Sequence, residues 1–243
     1  MRVGLLAGTG RLPELLREAH DFHHIIDLEQ WPEPLGALLI VVEALKSSGC
    51  EALVLAGAVN RARFDGLDAG GTWVAERAGL GAGDGQLLDA LVAFFELEGF
   101  QILGATDLDP SLITPRGQLA GVPIPDPEIG LERARALGLR DLGQAVIQCD
   151  GSRWLEETAA GTDDLMVRAG AIEAKERVLY KAAKPQQDLR VDMPSWGPQT
   201  VELAAQHGVR TLVFEAGKTI ALDREQALLR AEEIGVSVLG VGS

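Results

Sequence analysis

Cysteine is almost absent from this 243-residue chain. Cys50 and Cys149 stand far apart and no CxxC occurs. That excludes a disulfide framework or a cysteine-rich zinc site and leaves two thiols expected to be buried and reduced in a cytosolic protein. Aromatic residues make up only 5%, so Leu, Val, Ile and Ala must fill the core. Positive charge is also short: 22 Lys and Arg face 36 Asp and Glu, for a formal net charge of −14. So acidic a surface repels nucleic-acid phosphates, and no nucleic-acid partner is expected. An anionic substrate must instead be met locally, by a few cations or a divalent ion. No stretch approaches the roughly 20 apolar residues of a membrane span. The apolar run Val3–Ala7 is too short for a signal peptide, so a soluble, cytoplasmic protein is expected, able to touch a membrane surface. There is no GxSxG elbow and no Walker lysine motif, which leaves acyl transfer and P-loop chemistry without support. The four histidines, His20, His23, His24 and His207, have no carboxylate or cysteine at metal-ligand spacing.

What is present alternates between strand and helix patterns throughout, which predicts an α/β fold. Val3–Ala7 reads as a strand, Gly8-Thr9-Gly10 as a glycine turn, and the segment to about His20 as a helix with Pro13 in its first turn. Such a turn can aim backbone N–H groups at an anion. Asp27, in a second strand at His24–Leu28, lies about 20 residues beyond, where a ribose-binding acid stands in a dinucleotide fold. Pro13 replaces the third glycine of that fingerprint. A helix is predicted over Leu35–Ser48 and a buried strand over Glu51–Ala56. Asn60, Arg61 and Arg63 follow at the strand end, where α/β sheets meet ligands. A short helix is expected around Trp73–Arg77. Asp84 reads as the N-cap of a long helix to about Glu98, with Leu87, Leu88, Leu91, Phe94 and Phe95 at helical spacing. Phe100–Gly104 is the next strand. Five prolines, at 110, 115, 123, 125 and 127, then mark a change of composition. They place a linker at 123–127, between domains spanning 1–122 and 128–243.

The second half opens with a helix at Glu128–Leu137. Gln144–Gln148 and Arg153–Glu157 flank Asp150-Gly151, a strong hairpin signal. A helix runs from Gly161-Thr162-Asp163-Asp164 toward Arg177. Thr162 or Asp163 is there either an N-cap or part of an anion site at the helix N-terminus. Val178–Ala182 is a strand. Thr200–His207, Thr211–Phe214, Arg224–Ile234 and Val236–Val241 complete the alternation.

The stretch Lys184–Thr200, KPQQDLRVDMPSWGPQT, stands out. It combines Lys184 and Arg190, Asp188 and Asp192, three glutamines and three prolines. Pro185, Pro194 and Pro198 exclude a buried helix. It reads either as an ordinary surface loop or as a loop for phosphate chemistry with a metal. Oxygen ligands suit magnesium or manganese, which neutralise the charge of a diphosphate. In an extended chain Asp188 and Asp192 would face the same way about 13 Å apart, so both could bind one ion only across a bend. Lys184 and Arg190 could take phosphate oxygens, Arg190 with two parallel bonds.

These segments, in order, resemble the LpxI-type UDP-2,3-diacylglucosamine pyrophosphatases of lipid A biosynthesis. The matching stretches are GLLAGTGRLP (Gly4–Pro13), AGAVNR, GDGQLLDAL (Gly83–Leu91), EGFQILGA (Glu98–Ala105), TPRGQL (Thr114–Leu119), DLGQAVI (Asp141–Ile147), AGTDDLMVR (Ala160–Arg168), the RVDMP core and EAGKTIALDRE (Glu215–Glu225). The resemblance implies two α/β domains joined by the proline-rich linker, the first Rossmann-like. It implies hydrolysis of the diphosphate of a UDP-linked diacylated glucosamine lipid, with Mg2+ (or Mn2+), and transient contact with the inner membrane surface. By resemblance Asp192 is the catalytic aspartate, through metal binding or water activation, with Asp188 as a second metal ligand. Lys184, Gln187, Arg190, Gly8, Gly10, Thr162 and Asp163 would meet the substrate. The segments 28–36 and 64–83 look shorter than in relatives. Two other functions fit the residues alone: a nucleotide-binding oxidoreductase built on Gly8–Pro13 and Asp27, and a non-catalytic binder of nucleotide-linked lipid. The sequence carries no signal for oligomeric state.

Overall fold

In a computed structural model the chain is described over residues 1–59, 64–79 and 83–242, with Asp84 described by its backbone alone. The strand-end residues Asn60, Arg61 and Arg63 lie outside the described residues. Backbone contacts divide the chain into two compact units. The first is Met1–Pro110 together with Asp188–Asp192, and the second is Ser111–Gln187 together with Met193–Ser243. Residues 123–127, expected as a linker, fall inside the second unit. They follow β5 (Gly117–Ala120), which is already hydrogen-bonded to that unit's sheet.

The first unit is built on a parallel sheet in the order β2-β1-β3-β4, from β1 (Val3–Ala7), β2 (His24–Asp27), β3 (Ala52–Ala56) and β4 (Gln101–Leu103). VGLLA and ALVLA are almost wholly apolar, as strands covered on both faces must be, and their register pairs Leu5 with Val54 and Ala7 with Ala56. Helices α1 (Arg11–Ala19), α2 (Leu38–Ser47), α3 (Ala69–Ala78), α4 (Asp84–Leu97) and the short α5 (Ala105–Leu108) cover the sheet. Helix α2 begins three residues after the predicted Leu35. Its first turn is fixed by a remote group: the Asp68 carboxylate accepts from Leu39 N (2.7 Å) and from Gly71 N (2.8 Å). One acid thus satisfies orphan donors at the N-termini of both α2 and α3. For α4 the N-cap is Gly83 rather than Asp84, with Gly83 N donating to Gln86 Oε1. Phe94 and Phe95 are buried as their spacing predicts, and Phe95 meets Phe100 edge-on.

The second unit holds a six-stranded mixed sheet, ordered β5-β12-β10-β8-β6-β7. Its remaining strands are β6 (Ala145–Cys149), β7 (Arg153–Glu156), β8 (Arg177–Lys181), β10 (Thr211–Glu215) and β12 (Ser237–Val241). Strands β8, β10 and β12 run parallel; β5, β6 and β7 pair antiparallel. Alternation assigns the faces. Val146, Tyr180, Val213 and Leu239 join Leu131, Ala134 and Leu137 of α6 (Glu128–Leu139) in one core. Ile147, Leu179, Leu212, Phe214 and Val238 point the other way. They pack against α7 (Gly161–Gly170), α8 (Pro198–Gln206) and α9 (Arg224–Ile234). The β6–β7 hairpin turns at Asp150 and Gly151, both with positive φ. A further two-stranded ladder pairs β9 (Ser195–Trp196) with β11 (Ile220–Ala221). Trp196 there is buried and stacked on Phe214 at 4.6 Å.

Candidate active site

The residues Asp188–Asp192, singled out by composition and motif, form a turn. Val191 N and Asp192 N both donate to Asp188 O, at 3.1 and 3.0 Å. This is the bend that an extended chain lacked, and it brings Asp188 and Asp192 onto one turn. The turn belongs to the first unit although the chain on either side belongs to the second. Two contacts hold it there. Val191 packs against the apolar cluster that includes Phe94, Phe95 and Ile102. Arg190 reaches Glu96 of α4 through Nη1 at 2.8 Å. The backbone of Arg190 also lies so close to Gly104 that a Cβ there would come within 3.3 Å of the Arg190 Cα.

Arg190 spends most of its fork on Asp188. Its Nε donates to Oδ1 and Oδ2 at 3.0 and 3.1 Å, and its Nη2 donates to Oδ2 at 2.6 Å. The guanidinium holds the Asp188 carboxyl below its usual range, while Asp188 and Glu96 raise Arg190 further above its own. Asp89 of α4 is pushed upward, first by partial burial and then by the Asp188 charge. Asp192 sits differently. It is half-buried and, with Val191, lines an apolar cavity of about 440 Å3. The other walls come from Leu38 and Val41 of α2, Leu88 and Leu91 of α4, and the strand end Ala56–Val59. A polar atom able to do chemistry therefore stands at the edge of a space that only hydrocarbon fills well.

The glycine turn after β1 has a packing role. A Cβ on Gly8 would lie 2.3 Å from Ala58 O, and one on Gly57 would lie 2.5 Å from Thr9 O. The loops after β1 and β3 are thus pressed together, joined by Thr9 N to Ala58 O and Ala58 N to Thr9 O. Gly8 N already donates to Ala56 O at 2.8 Å, which takes that donor away from any phosphate. Gly10 is needed for its φ of 106° as the residue before α1. Asp27, the acid a ribose would require, accepts from Arg17 Nη2 (3.0 Å) and from Glu29 N (3.1 Å). Asp27 and Gly8 N, on which the oxidoreductase alternative stood, are thus both engaged within the protein.

In the second unit Lys184 and Gln187 face each other, with Lys184 N donating to Gln187 Oε1 at 2.8 Å. Lys184 Nζ pairs with Asp141 at 2.6 Å. The Gln187 amide nitrogen is buried with no hydrogen-bond partner among the described residues, a donor that a bound group could engage. Thr162 and Asp163 start α7, yet neither caps it: the N-cap position falls on Ala160 and no side chain closes it. Thr162 Oγ1 instead donates to Glu157 Oε1 at 2.6 Å. Glu157, which the sequence did not single out, is buried and also accepts from Gln144 N and Ala145 N. Lys181, at the end of β8, was likewise missed. Burial pushes its amine down while Glu157 and Asp163 push it up, and its Nζ donates to Ser195 O at 3.0 Å. A lysine at the C-terminal end of a parallel strand was the available signal.

Among the described residues no three His, Cys, Asp or Glu side chains gather to hold an ion. Magnesium needs no such cage, since it binds through one or two carboxylates plus substrate phosphates and keeps several waters. The 188–192 turn offers two carboxylates for that mode: Asp192 at the cavity edge, and Asp188, whose two oxygens already accept from Arg190. Among the described residues no helix is long and apolar enough to cross a membrane.

Two family models match the chain: the LpxI N-terminal domain over residues 2–112 and the LpxI C-terminal domain over residues 118–239. A curated relative, the UDP-2,3-diacylglucosamine pyrophosphatase LpxI of Caulobacter vibrioides, is 34% identical over 272 aligned positions, covering 99% of this chain and 97% of the relative. The aligned span exceeds the 243 residues of this chain, so the relative carries insertions. Both halves and their order match, over a span that includes the turn carrying Asp192: the chain belongs to the LpxI family.

Proposed function

We propose that this protein hydrolyses the diphosphate of UDP-2,3-diacylglucosamine, releasing UMP and 2,3-diacylglucosamine 1-phosphate, in lipid A biosynthesis. The observation that carries this reading is the position of Asp192 at the edge of the apolar cavity in the first unit. An enzyme for this substrate must meet acyl chains and a diphosphate side by side: hydrocarbon walls suit the chains, and a carboxylate at their edge would meet the diphosphate through a divalent ion or a water. Asp192 is the group we assign to orienting the attacking water, either by taking its proton or as a ligand of a divalent ion. Asp192 and Asp188 would hold Mg2+ or Mn2+, which when bound neutralises diphosphate charge. Arg190, fixed by Asp188 and Glu96, keeps the turn in one shape, so that Asp192 needs no reordering as charge develops. Lys184 and the unpartnered amide of Gln187 are the second unit's candidates for phosphate and sugar oxygens. Leu39 and Ile40 are exposed on α2, the helix whose other side lines the cavity, which suits transient contact with the inner membrane surface.

The test is direct. The purified chain with Mg2+ should release UMP from the lipid substrate. Asp192→Ala should abolish release while leaving circular dichroism and the unfolding midpoint unchanged. Full activity in that variant would remove Asp192 from the chemistry. Tight binding without turnover under any divalent ion would favour the non-catalytic binder instead.

A further inference from the structure

One side chain of the 188–192 turn faces two ways. Val191 packs against the apolar cluster that includes Phe94 and Phe95, and it also lines the cavity of about 440 Å3 beside Asp192. Every residue lining that cavity belongs to the first unit, as the turn does. The larger hydrocarbon walls stand on helices, Leu38 and Val41 on α2 and Leu88 and Leu91 on α4. A chain lying on those walls makes the same contacts before and during the reaction, and such uniform binding lowers KM without raising kcat. Contact with Val191 differs, because the next residue is the carboxylate assigned to the water.

The turn is held at both ends of its short length, by different means. Arg190 spans Asp188 and Glu96, and its backbone lies against Gly104 of the matching segment EGFQILGA. Val191 N and Asp192 N share one acceptor, Asp188 O, at 3.1 and 3.0 Å. Val191 is half-buried. Its branched Cβ restricts χ1, so side chain and backbone move together. An acyl chain in the cavity adds packing partners on the face of Val191 that the apolar cluster does not cover, and dispersion is forfeited quickly where such partners are missing. Packing on both faces fixes Val191, and through the shared backbone it fixes Asp192. A misplacement of about 1 Å at a reacting group can cost about 100-fold in rate.

We propose that Val191 is a positioning residue through which an acyl chain of the substrate sets Asp192, so that chain length is read in kcat as well as in KM. The inference rests on the pyrophosphatase reading and adds to it a specificity device. Contacts with a remote part of the substrate are in this way expressed at the reacting group.

UMP release by the full chain with Mg2+, measured for long-acyl substrate and for a short-acyl analogue, tests it. Shortening the chains should lower wild-type kcat by about tenfold, the equivalent of about 1.4 kcal/mol, besides raising KM. Val191→Ala should bring the long-to-short ratio of kcat close to one. Val191→Ile, which keeps the branch at Cβ, should recover most of the wild-type ratio. Leu88→Ala should instead raise KM for the long-acyl substrate more than it changes that ratio. A wild-type kcat independent of chain length overturns the proposal, and so does a Val191→Ala variant whose kcat falls alike for both substrates. A second readout needs no turnover. Hydrogen exchange at the Val191 and Asp192 amides should slow when long-acyl 2,3-diacylglucosamine 1-phosphate is added and slow less with its short-acyl form, and the difference should vanish in Val191→Ala. If exchange responds in this way but the chain never releases UMP, the pyrophosphatase reading fails and the coupling stands. If UMP is released while both amides ignore chain length, the coupling alone fails.

Discussion

Thr162→Val separates a structural role from a substrate-binding one at a residue the family motif marks. The substitution keeps shape and removes only the hydroxyl. In the wild-type protein that hydroxyl is 2.6 Å from Glu157 Oε1, while Oε2 takes the two backbone donors Gln144 N and Ala145 N. Glu157 is 7% exposed, so Oε1 has little water to turn to. A hydrogen bond to a charged group is worth about 1.5–3 kcal/mol. Thr162 stands in the first, half-buried turn of α7, where some water can enter, which points to the lower end of that range. Helix propensity does not offset the loss, since Thr and Val are close on that scale. Thr162→Val should thus lose about 1.5 kcal/mol in urea unfolding followed by tryptophan fluorescence. Thr162→Ser should lose about half of that or less. KM for the lipid substrate should stay at its wild-type value in both. An unfolding midpoint equal to wild type with a raised KM would refute the reasoning and return Thr162 to the substrate.

Other outcomes follow from the same geometry. Gly130→Ala in α6 should destabilise by about 1–3 kcal/mol in the same unfolding assay, although Ala normally gains about 1 kcal/mol over Gly inside a helix. The added Cβ would fall 2.2 Å from the ring of buried Tyr180, and in a Tyr180→Ala background the same change should be neutral or stabilising. Asp188→Asn should lower stability at pH 7 without added metal. Because Arg190 depresses the Asp188 carboxyl, its contribution is fully present above the unfolded value of about 3.9 and is lost as pH falls through the lower folded value. The gap between wild type and variant should therefore close in acid, as urea midpoints across that range will show. Leu88→Trp should fill part of the apolar cavity and raise KM for long-acyl substrate more than for a short-acyl analogue, measured by UMP release.

The parts of the fold decided by short-range rules were legible. The β6–β7 hairpin was fixed by Asp150-Gly151, a pair that tolerates positive φ, and α9 by its own pattern. Elements whose ends are set by remote partners were not. The helix expected to run from Gly161 toward Arg177 stops at Gly170, which packs against His207, while Arg177 Nε donates back to Ala169 O. The start of α2 depends on Asp68, about 30 residues away. At the site, the family resemblance singled out Asp192, but its place beside the apolar cavity depends on partly buried Val191 packing against the side chains of α4 and β4. Nor could spacing reveal that Asp188 would meet Arg190. Residue type alone did not mark Glu157 and Glu215 as buried, because the donors that satisfy them are brought in by the fold.

The turn at Asp188–Asp192 also bears on how this protein can be cut. Family models break the chain after residue 112, as though its halves could be handled separately. A fragment ending there would lack Val191 in its core and leave Glu96 without Arg190. The missing piece is a pentapeptide encoded some 75 residues downstream, with the candidate nucleophile-activating carboxylate inside it. Splitting the gene at the midpoint would separate the first half from the five residues that pack into it.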